Sequence, residues 1–485
     1  MRPLGRLLAA ASIACAVLLA AAGPAGAHAV LRHSDPADAS VLDTAPDELI
    51  LTFNEAVSPD GSAVEIVDVD GGRHEATIVG HGPGDESLRV ALGDLPDGLY
   101  SIRWTAFSDS DGHITRGMLV WGIGADADLG AADFATPADP VNTLEAVLRW
   151  IGFAAAAAVL GALVVDRLVL PRVRARFTSP LAEAWHVESR RRIHRIVRIG
   201  AVLAAVASLG IIGHQVWVIA SSSGLGLVEA VRTGVLATSW GRWGLVRIVA
   251  LLVVAVTAGF GSFERRDVAA TAAGAIGVAF AAQAAAGHAA GVVHAPFAIT
   301  NDVVHLVATS AWLGGLYAVH RVLAGPSVER PAGLASATLR HFSPYAALGL
   351  GLTVATGWFA TGEQVRSIDA LVVSGYGRIL SAKILLVAVL ALLGWANRRA
   401  LRPRPGRGLR PGLVVAELGV GVAVFALVGV LTASVPATGP EWDRPVDAEA
   451  RELAVIVDDL QIGLTVTPNV PGQNLLLVDA VNLRR

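Results

Sequence analysis

Sulfur is almost missing from this chain: in 485 residues it has one cysteine, Cys15, and two methionines, Met1 and Met118. Cys15 lies in an N-terminal apolar run, so the chain beyond that run has no thiol for a disulfide or a thiolate metal site. A thioether site for a soft monovalent metal is excluded for the same reason, because Met118 is the one methionine beyond the first residue. A transition metal would have to be held by histidine, carboxylate or an amino terminus. Ser12 stands where a lipoprotein signal usually has an apolar residue, and the apolar run continues past Cys15, which argues against a lipidated cysteine. Charge is scarce as well: 16% of residues are charged and 53% are hydrophobic. With 52 glycines, that balance excludes an ordinary soluble protein and puts most of the chain in a lipid bilayer. No nucleotide-binding loop or phosphorylation motif marks an ATP-driven pump, and no hydrolase constellation marks an enzyme. Nothing outside the apolar runs is basic enough to bind nucleic acid.

What is present begins at the N-terminus. Arg2 and Arg6 form a basic region, Leu7 to Ala22 an apolar one and Ala25-Gly26-Ala27 a small-residue cleavage site, the pattern of a signal peptide over residues 1–27. Cleavage there leaves His28 as the new N-terminus. Its amine and imidazole form a chelating pair that suits a metal such as copper far better than magnesium or calcium. From residue 28 to 140 there are 21 Asp and Glu, 5 Arg and no Lys. This acidic exported segment is either a solvated surface or a means of drawing cations toward a site.

Residues 28–124 alternate in short stretches, Glu48–Phe53, Ala63–Val69, Ser87–Leu92 and Gly98–Thr105, with Asp70-Gly-Gly72, Pro83-Gly84 and Pro96-Asp-Gly98 as turns. Strands at this spacing predict a β-sandwich. Residues 125–143, rich in Ala, Asp and Pro, read as a linker. Eight apolar segments of membrane-spanning length follow within 144–436, at 144–170, 196–220, 243–262, 268–288, 299–322, 342–361, 377–396 and 412–436. The basic connections, Arg167 to Arg176, Arg190 to Arg198, Glu264 to Arg266, His320 to His341 and Asn397 to Arg410, alternate with less basic ones. By the positive-inside rule the basic connections are cytoplasmic and both chain ends extracytoplasmic. Residues 437–485 turn polar again, with strand-like runs at Ala454–Val457, Gln461–Val466 and Asn474–Val478, and read as an extracytoplasmic β-rich tail.

Asp111 and His113, two residues apart in Ser108-Asp-Ser-Asp-Gly-His113, share a face of an extended backbone. With the amine and imidazole of His28 they make four N and O donors matching the square preference of Cu(II); the alternative is an Asp-Gly turn with an incidental histidine. His28-Ala-Val-Leu31, Ser34-Asp-Pro-Ala37, Leu51-Thr-Phe-Asn-Glu55, Pro96-Asp-Gly-Leu-Tyr100 with Trp104, and Ser108 to His113 with Gly117 together resemble the CopC family of periplasmic copper-binding proteins. The resemblance covers residues 28–124. It implies a cupredoxin-like Greek-key β-sandwich holding Cu(II) through His28, Asp111 and His113, with Glu55 either near the metal or hydrogen-bonded to the amine. The Met-rich Cu(I) site of some members has no counterpart here. His33, His74 and His81 read as surface histidines.

Residues 144–436 resemble the CopD family through His288, His305 to Leu316, His341-Phe-Ser343 and Leu431-Thr-Ala-Ser-Val-Pro436. That resemblance implies copper transfer across the cytoplasmic membrane, in the import direction, with a periplasmic or extracellular copper donor as a further partner. Ionisable residues in apolar spans are costly and mark function. His214, His288 and His305, with His294 in the adjoining loop, form an expected outer copper relay. His320 and His341 lie at the other ends of their spans, as an exit pair or facing headgroups. Lys383 and Glu417 either pair with each other, pair with a histidine or snorkel. Two other functions fit the same residues. His288 with His305 or His214 would suit haem in a redox protein that reduces Cu(II), and the exported domain alone would suit a copper buffer or sensor.

Overall fold

The computed structural model describes residues 29–109, 112, 114–124, 142–223, 225–260, 265–287, 289, 294–324, 331–365, 367–400, 411–434, 436–437, 452–457, 460–467 and 475–482. The predicted signal peptide and nearly all of the predicted linker lie outside the described residues.

Among the described residues, nine strands build the N-terminal domain: β1 Leu31–Asp35, β2 Ser40–Leu42, β3 Glu48–Phe53, β4 Ala63–Asp68, β5 Arg73–His74, β6 Ala76–His81, β7 Ser87–Leu92, β8 Gly98–Phe107 and β9 Ile114–Ile123. They form two sheets, in the orders β1-β3-β7-β6 and β2-β9-β8-β4-β5, so the predicted sandwich is present. Successive side chains of a strand face opposite ways. In β3 this sends Leu49, Leu51 and Phe53 inward to meet Leu88 and Val90 of β7 and Ile102 and Trp104 of β8. Two of the sequence-derived strands have the same limits in the structure, β3 and β7. β8 runs two residues beyond Thr105, because Phe107 pairs with Ile114 across the loop that carries Asp111 and His113.

Asp68 closes the β4–β5 turn by accepting the backbone N–H groups of Gly72 at 2.7 Å and Asp70 at 3.0 Å. It also meets His74 Nε2 at 2.9 Å, and the His74 ring stands edge-on to Tyr100. The His74 hydrogen bond, helped by those of the turn, holds the Asp68 carboxyl below its usual range. A depressed carboxylate contributes stability above the unfolded value, near pH 3.9, and loses it as pH falls through the folded one. Asp68→Asn is therefore expected to lower the melting temperature at neutral pH and flatten its fall below about pH 4, measured on the full chain.

All eight apolar segments fold as helices. They are α1 Thr143–Arg176, α2 Pro180–Ser223, α4 Ser239–Phe260, α5 Arg266–Ala285, α6 Ala295–Leu323, α7 Leu334–Gln364, α9 Gly375–Ala400 and α10 Pro411–Leu431, with short α3 Leu227–Val231 and α8 Ile368–Val373 between spans. Seven are long and apolar enough to cross a membrane; α7 is as long but is diluted by Gly and Thr. The chain is a multi-pass membrane protein. The basic stretch Arg190 to Arg198, expected as a connection, is helix instead, for α2 starts at Pro180. Arginine is a good helix former, and ion pairs secure this turn: Asp166, wholly buried, meets Arg190 at 3.1 Å and Arg167 at 3.3 Å, and Arg174 meets Glu183 at 2.8 Å.

The helices pack in the sequence α5, α4, α2, α1, α10, α9, with α6 laid across α1 and α7 on α6. Lipid gives helices no hydrophobic drive to associate, so close backbone approach matters. A Cβ on Gly314 of α6 would sit 1.9 Å from the Ala157 carbonyl of α1, and one on Gly161 would sit 2.0 Å from the Gly314 backbone. Only glycine allows that crossing. In the tail, strands β10 Glu452–Val457, β11 Leu460–Thr467 and β12 Leu475–Asn482 form an antiparallel sheet where three strands were expected.

Candidate metal centre

Three segments of the β-domain converge at one end of the sandwich. Ala29, fully buried, accepts a 2.7 Å hydrogen bond from Thr115 Oγ1 through its carbonyl. Val30 donates its N–H to Asn54 Oδ1 at 2.7 Å, and the Asn54 N–H returns to the Val30 carbonyl at 3.1 Å. Asp109 N–H donates to the Ala56 carbonyl at 3.0 Å. The neighbours of His28, of Glu55 and of the Asp111–His113 loop are therefore tied together. Glu55 itself is buried. His28, Asp111 and His113 lie outside the described residues, as does His288.

The same end of the sandwich is docked on the helices. Phe107, fully buried, packs with Ile211, Ile212, Val216 and Ile219 of α2 and with Trp240 of α4. The Asp109 carbonyl accepts hydrogen bonds from Ser239 Oγ at 3.0 Å and from the Trp240 N–H at 3.2 Å. Gly112 holds φ at +71° directly against Trp240, where a Cβ would come within 2.4 Å of the indole. Burial pushes the Asp109 carboxyl above its ordinary range, partly opposed by its hydrogen bonds with Ser239 and by Arg242. Sequence reasoning missed this contact. The available signal was Trp240 in a Ser-Trp-Gly-Arg-Trp run just before a span.

The membrane histidines occupy separate seams. His214 of α2 faces Asn142, the N-cap of α1, with Nε2 at 2.9 Å, and its Nδ1 is buried with no hydrogen-bond partner among the described residues. His305 of α6 lies half-buried against α7, with Nδ1 2.9 Å from Thr356 Oγ1. Asn301 donates to the Thr356 carbonyl at 3.1 Å, and Thr309 meets Thr353 at 3.0 Å, which makes the α6–α7 seam polar from Asn301 to Thr309. His294 is exposed just before α6. Among the described residues no three His, Cys, Asp or Glu side chains form a metal-binding group.

Lys383 and Glu417 do not pair with each other. Glu417 is buried and accepts a 2.7 Å hydrogen bond from Asn397, whereas Lys383 of α9 lies within electrostatic reach of Asp302, one turn from His305. Asp302 was missed in the sequence, although it is a carboxylate in an apolar span like the residues that were named. A second polar cluster lies beneath Trp240. Arg149 pairs with Glu145 at 2.6 Å, Arg247 bonds Gln283, and both arginines line a cavity of about 40 Å³ between α1, α2, α4 and α5.

Three family models match the chain: "CopC domain" over residues 31–124, "Copper resistance protein D-like, N-terminal domain" over 140–295, and "Copper resistance protein D" over 336–431. The copper transport protein CutJ of Bacillus subtilis (strain 168) is 24% identical over 474 residues, covering 93% of this chain and 81% of that protein. Among solved structures, CopC from Methylosinus trichosporium OB3b is 24% identical with a TM-score of 0.20, covering 21% of this chain and 99% of its own. PcoC, a methionine-rich copper resistance protein from Escherichia coli, is 25% identical with a TM-score of 0.19, covering 20% of this chain and 99% of its own.

Proposed function

Because the chain joins a CopC domain to a copper-resistance-D membrane region, we propose that it binds Cu(II) on its β-domain and passes copper through the membrane bundle, in the import direction. The domain limits are those read from the sequence: a signal peptide to residue 27, the copper domain over 28–124, a linker over 125–143, the bundle over 144–436 and the tail beyond. His28, through its amine and ring, and the side chains of Asp111 and His113 are the ligands, with Glu55 beside them. The observation that carries this reading is the double role of one loop. Thr115 just after it bonds Ala29 and Asp109 bonds Ala56, the neighbours of His28 and Glu55, while Asp109 and Gly112 are seated on Ser239 and Trp240 at the head of the bundle. Copper released from such a site starts at the mouth of the helices, without a diffusing carrier. The acidic β-domain draws cations, and a periplasmic or extracellular copper donor loads it. By the positive-inside pattern, the β-domain and the tail face outward.

Electrostatics favours one route inward. The cavity under Trp240 is lined by the guanidiniums of Arg149 and Arg247, with Glu145 bound to Arg149 beside it, a poor path for a cation. The α6–α7 seam offers His305, Asp302 and a run of hydroxyls instead. His294 and His288 stand at its entrance in sequence, and His214 serves from α2. His305→Ala is expected to reduce copper accumulation in cells to that of cells lacking the protein, with Cu(II) binding by the β-domain retained. Unchanged accumulation would leave a copper buffer or sensor as the better reading.

A further inference from the structure

On the side of the bundle away from the β-domain contact, α1, α2, α6 and α10 enclose a groove of about 750 Å³ that nothing in the copper reading uses. Small residues line its floor, Gly200, Gly314 and Gly419 with Ala154 and Ala158 of α1, and Gly419 has open space where a Cβ would stand. Aromatic rings of Trp150, Tyr317 and Phe425 form its walls. Ile199, Leu203 and Val422 along it are exposed, which turns the groove toward the surrounding bilayer. One end is cationic. Arg192 and Arg195 of α2 and Arg321 of α6 line it with His320, and Glu188, bound to Arg192 at 3.0 Å, is the nearby counter-charge. Arg192 also donates to the Arg321 carbonyl at 3.3 Å, which ties the two helices at the rim. Among the described residues, neither Arg195 nor Arg321 has a carboxylate partner.

We propose that this groove is a specific site for an anionic phospholipid, its headgroup phosphate on Arg195 and Arg321 and an acyl chain along the small-residue floor. Guanidinium groups bind phosphate oxygens in paired hydrogen bonds. From Arg192 to Leu203 the groove runs 11 residues of α2, roughly 16 Å, about half of a 30 Å hydrocarbon core. That is the depth of one leaflet. The rim carries basic residues of the kind the positive-inside rule puts on the cytoplasmic side, so the leaflet is the cytoplasmic one, where anionic lipid and clustered arginines attract each other. A site of this kind would brace α6 against α2 and α10.

The test uses the full chain in nanodiscs of equimolar dioleoyl phosphatidylglycerol and dioleoyl phosphatidylcholine, with retained lipid identified by native mass spectrometry. The wild type is expected to retain phosphatidylglycerol over phosphatidylcholine. Arg195→Gln and Arg321→Gln should each lower that preference about fivefold, the worth of a surface cation beside an anionic headgroup. Gly419→Leu should empty the groove without disturbing the fold, because a Cβ there meets nothing within 4 Å. Retained lipid matching the bulk mixture, equal retention by all the variants, or a second copy of the chain in place of lipid would overturn the proposal. So would equal protection against unfolding by inorganic phosphate, which would reduce the site to a phosphate site. The readout is lipid, so a failure here leaves the copper reading untouched.

Discussion

Trp240→Ala is expected to cut copper accumulation at least tenfold while leaving Cu(II) affinity within about twofold, because it removes the seat of the loop and not a ligand. Trp240 is buried between Phe107 and α2 and packs on Gly112. Emptying such a site costs about 3–5 kcal/mol in a core, and even half of that shifts a docking equilibrium more than tenfold. The contact is directional as well as apolar, since the Asp109 carbonyl is held by both Ser239 Oγ and the Trp240 N–H. Gly112→Ala attacks the same contact from the other side. It adds left-handed strain of about 1–2 kcal/mol and drives a Cβ into the indole. If the clash is the cause, combining it with Trp240→Ala should be less damaging than the two losses added. Cellular copper content, together with hydrogen exchange over residues 107–109, checks both halves of the expectation. Undiminished accumulation in Trp240→Ala would mean that docking is not needed for transfer.

His113→Ala should have the largest effect on binding. Losing an imidazole from a Cu(II) site is expected to lower affinity by at least about 100-fold, beyond the 10- to 100-fold typical of groups that merely orient a ligand. Electron paramagnetic resonance should show one nitrogen fewer on the metal. His74→Ala is the matched control. Its imidazole is occupied by Asp68 and stands edge-on to Tyr100, so Cu(II) affinity should hold while the β4–β5 turn loosens. Comparable losses in both variants would point to damage to the fold and not to loss of a ligand.

What could be read from the sequence was whatever repeats locally. β3 and β7 have the limits that alternation gives them, because each buries one face and exposes the other. The eight helices were visible as apolar runs of spanning length, and the tail strands as short strand-like runs around a Pro-Gly turn. Hidden features depend on partners distant in sequence. The basic stretch of α2 reads as a connection until Asp166 of α1 pairs with Arg190. Lys383 could be named as costly, but Asp302, the carboxylate within its electrostatic reach, sits on another helix 81 positions away. The docking of Phe107 on Trp240 leaves no periodic trace at all. For the proposed copper site the sequence supplies the candidates His28, Asp111, His113 and Glu55, and the structure adds how the segments flanking them are bound together.

The proposed Cu(II) site requires the amine of His28. The direct measurement is a Cu(II) titration of the full chain in two forms, one beginning at His28 and one carrying a single residue ahead of it. Tight binding with amine nitrogen in the resonance spectrum is predicted for the first form, and a loss of at least about 100-fold for the second. Equal affinity in the two forms would contradict a terminal-amine site.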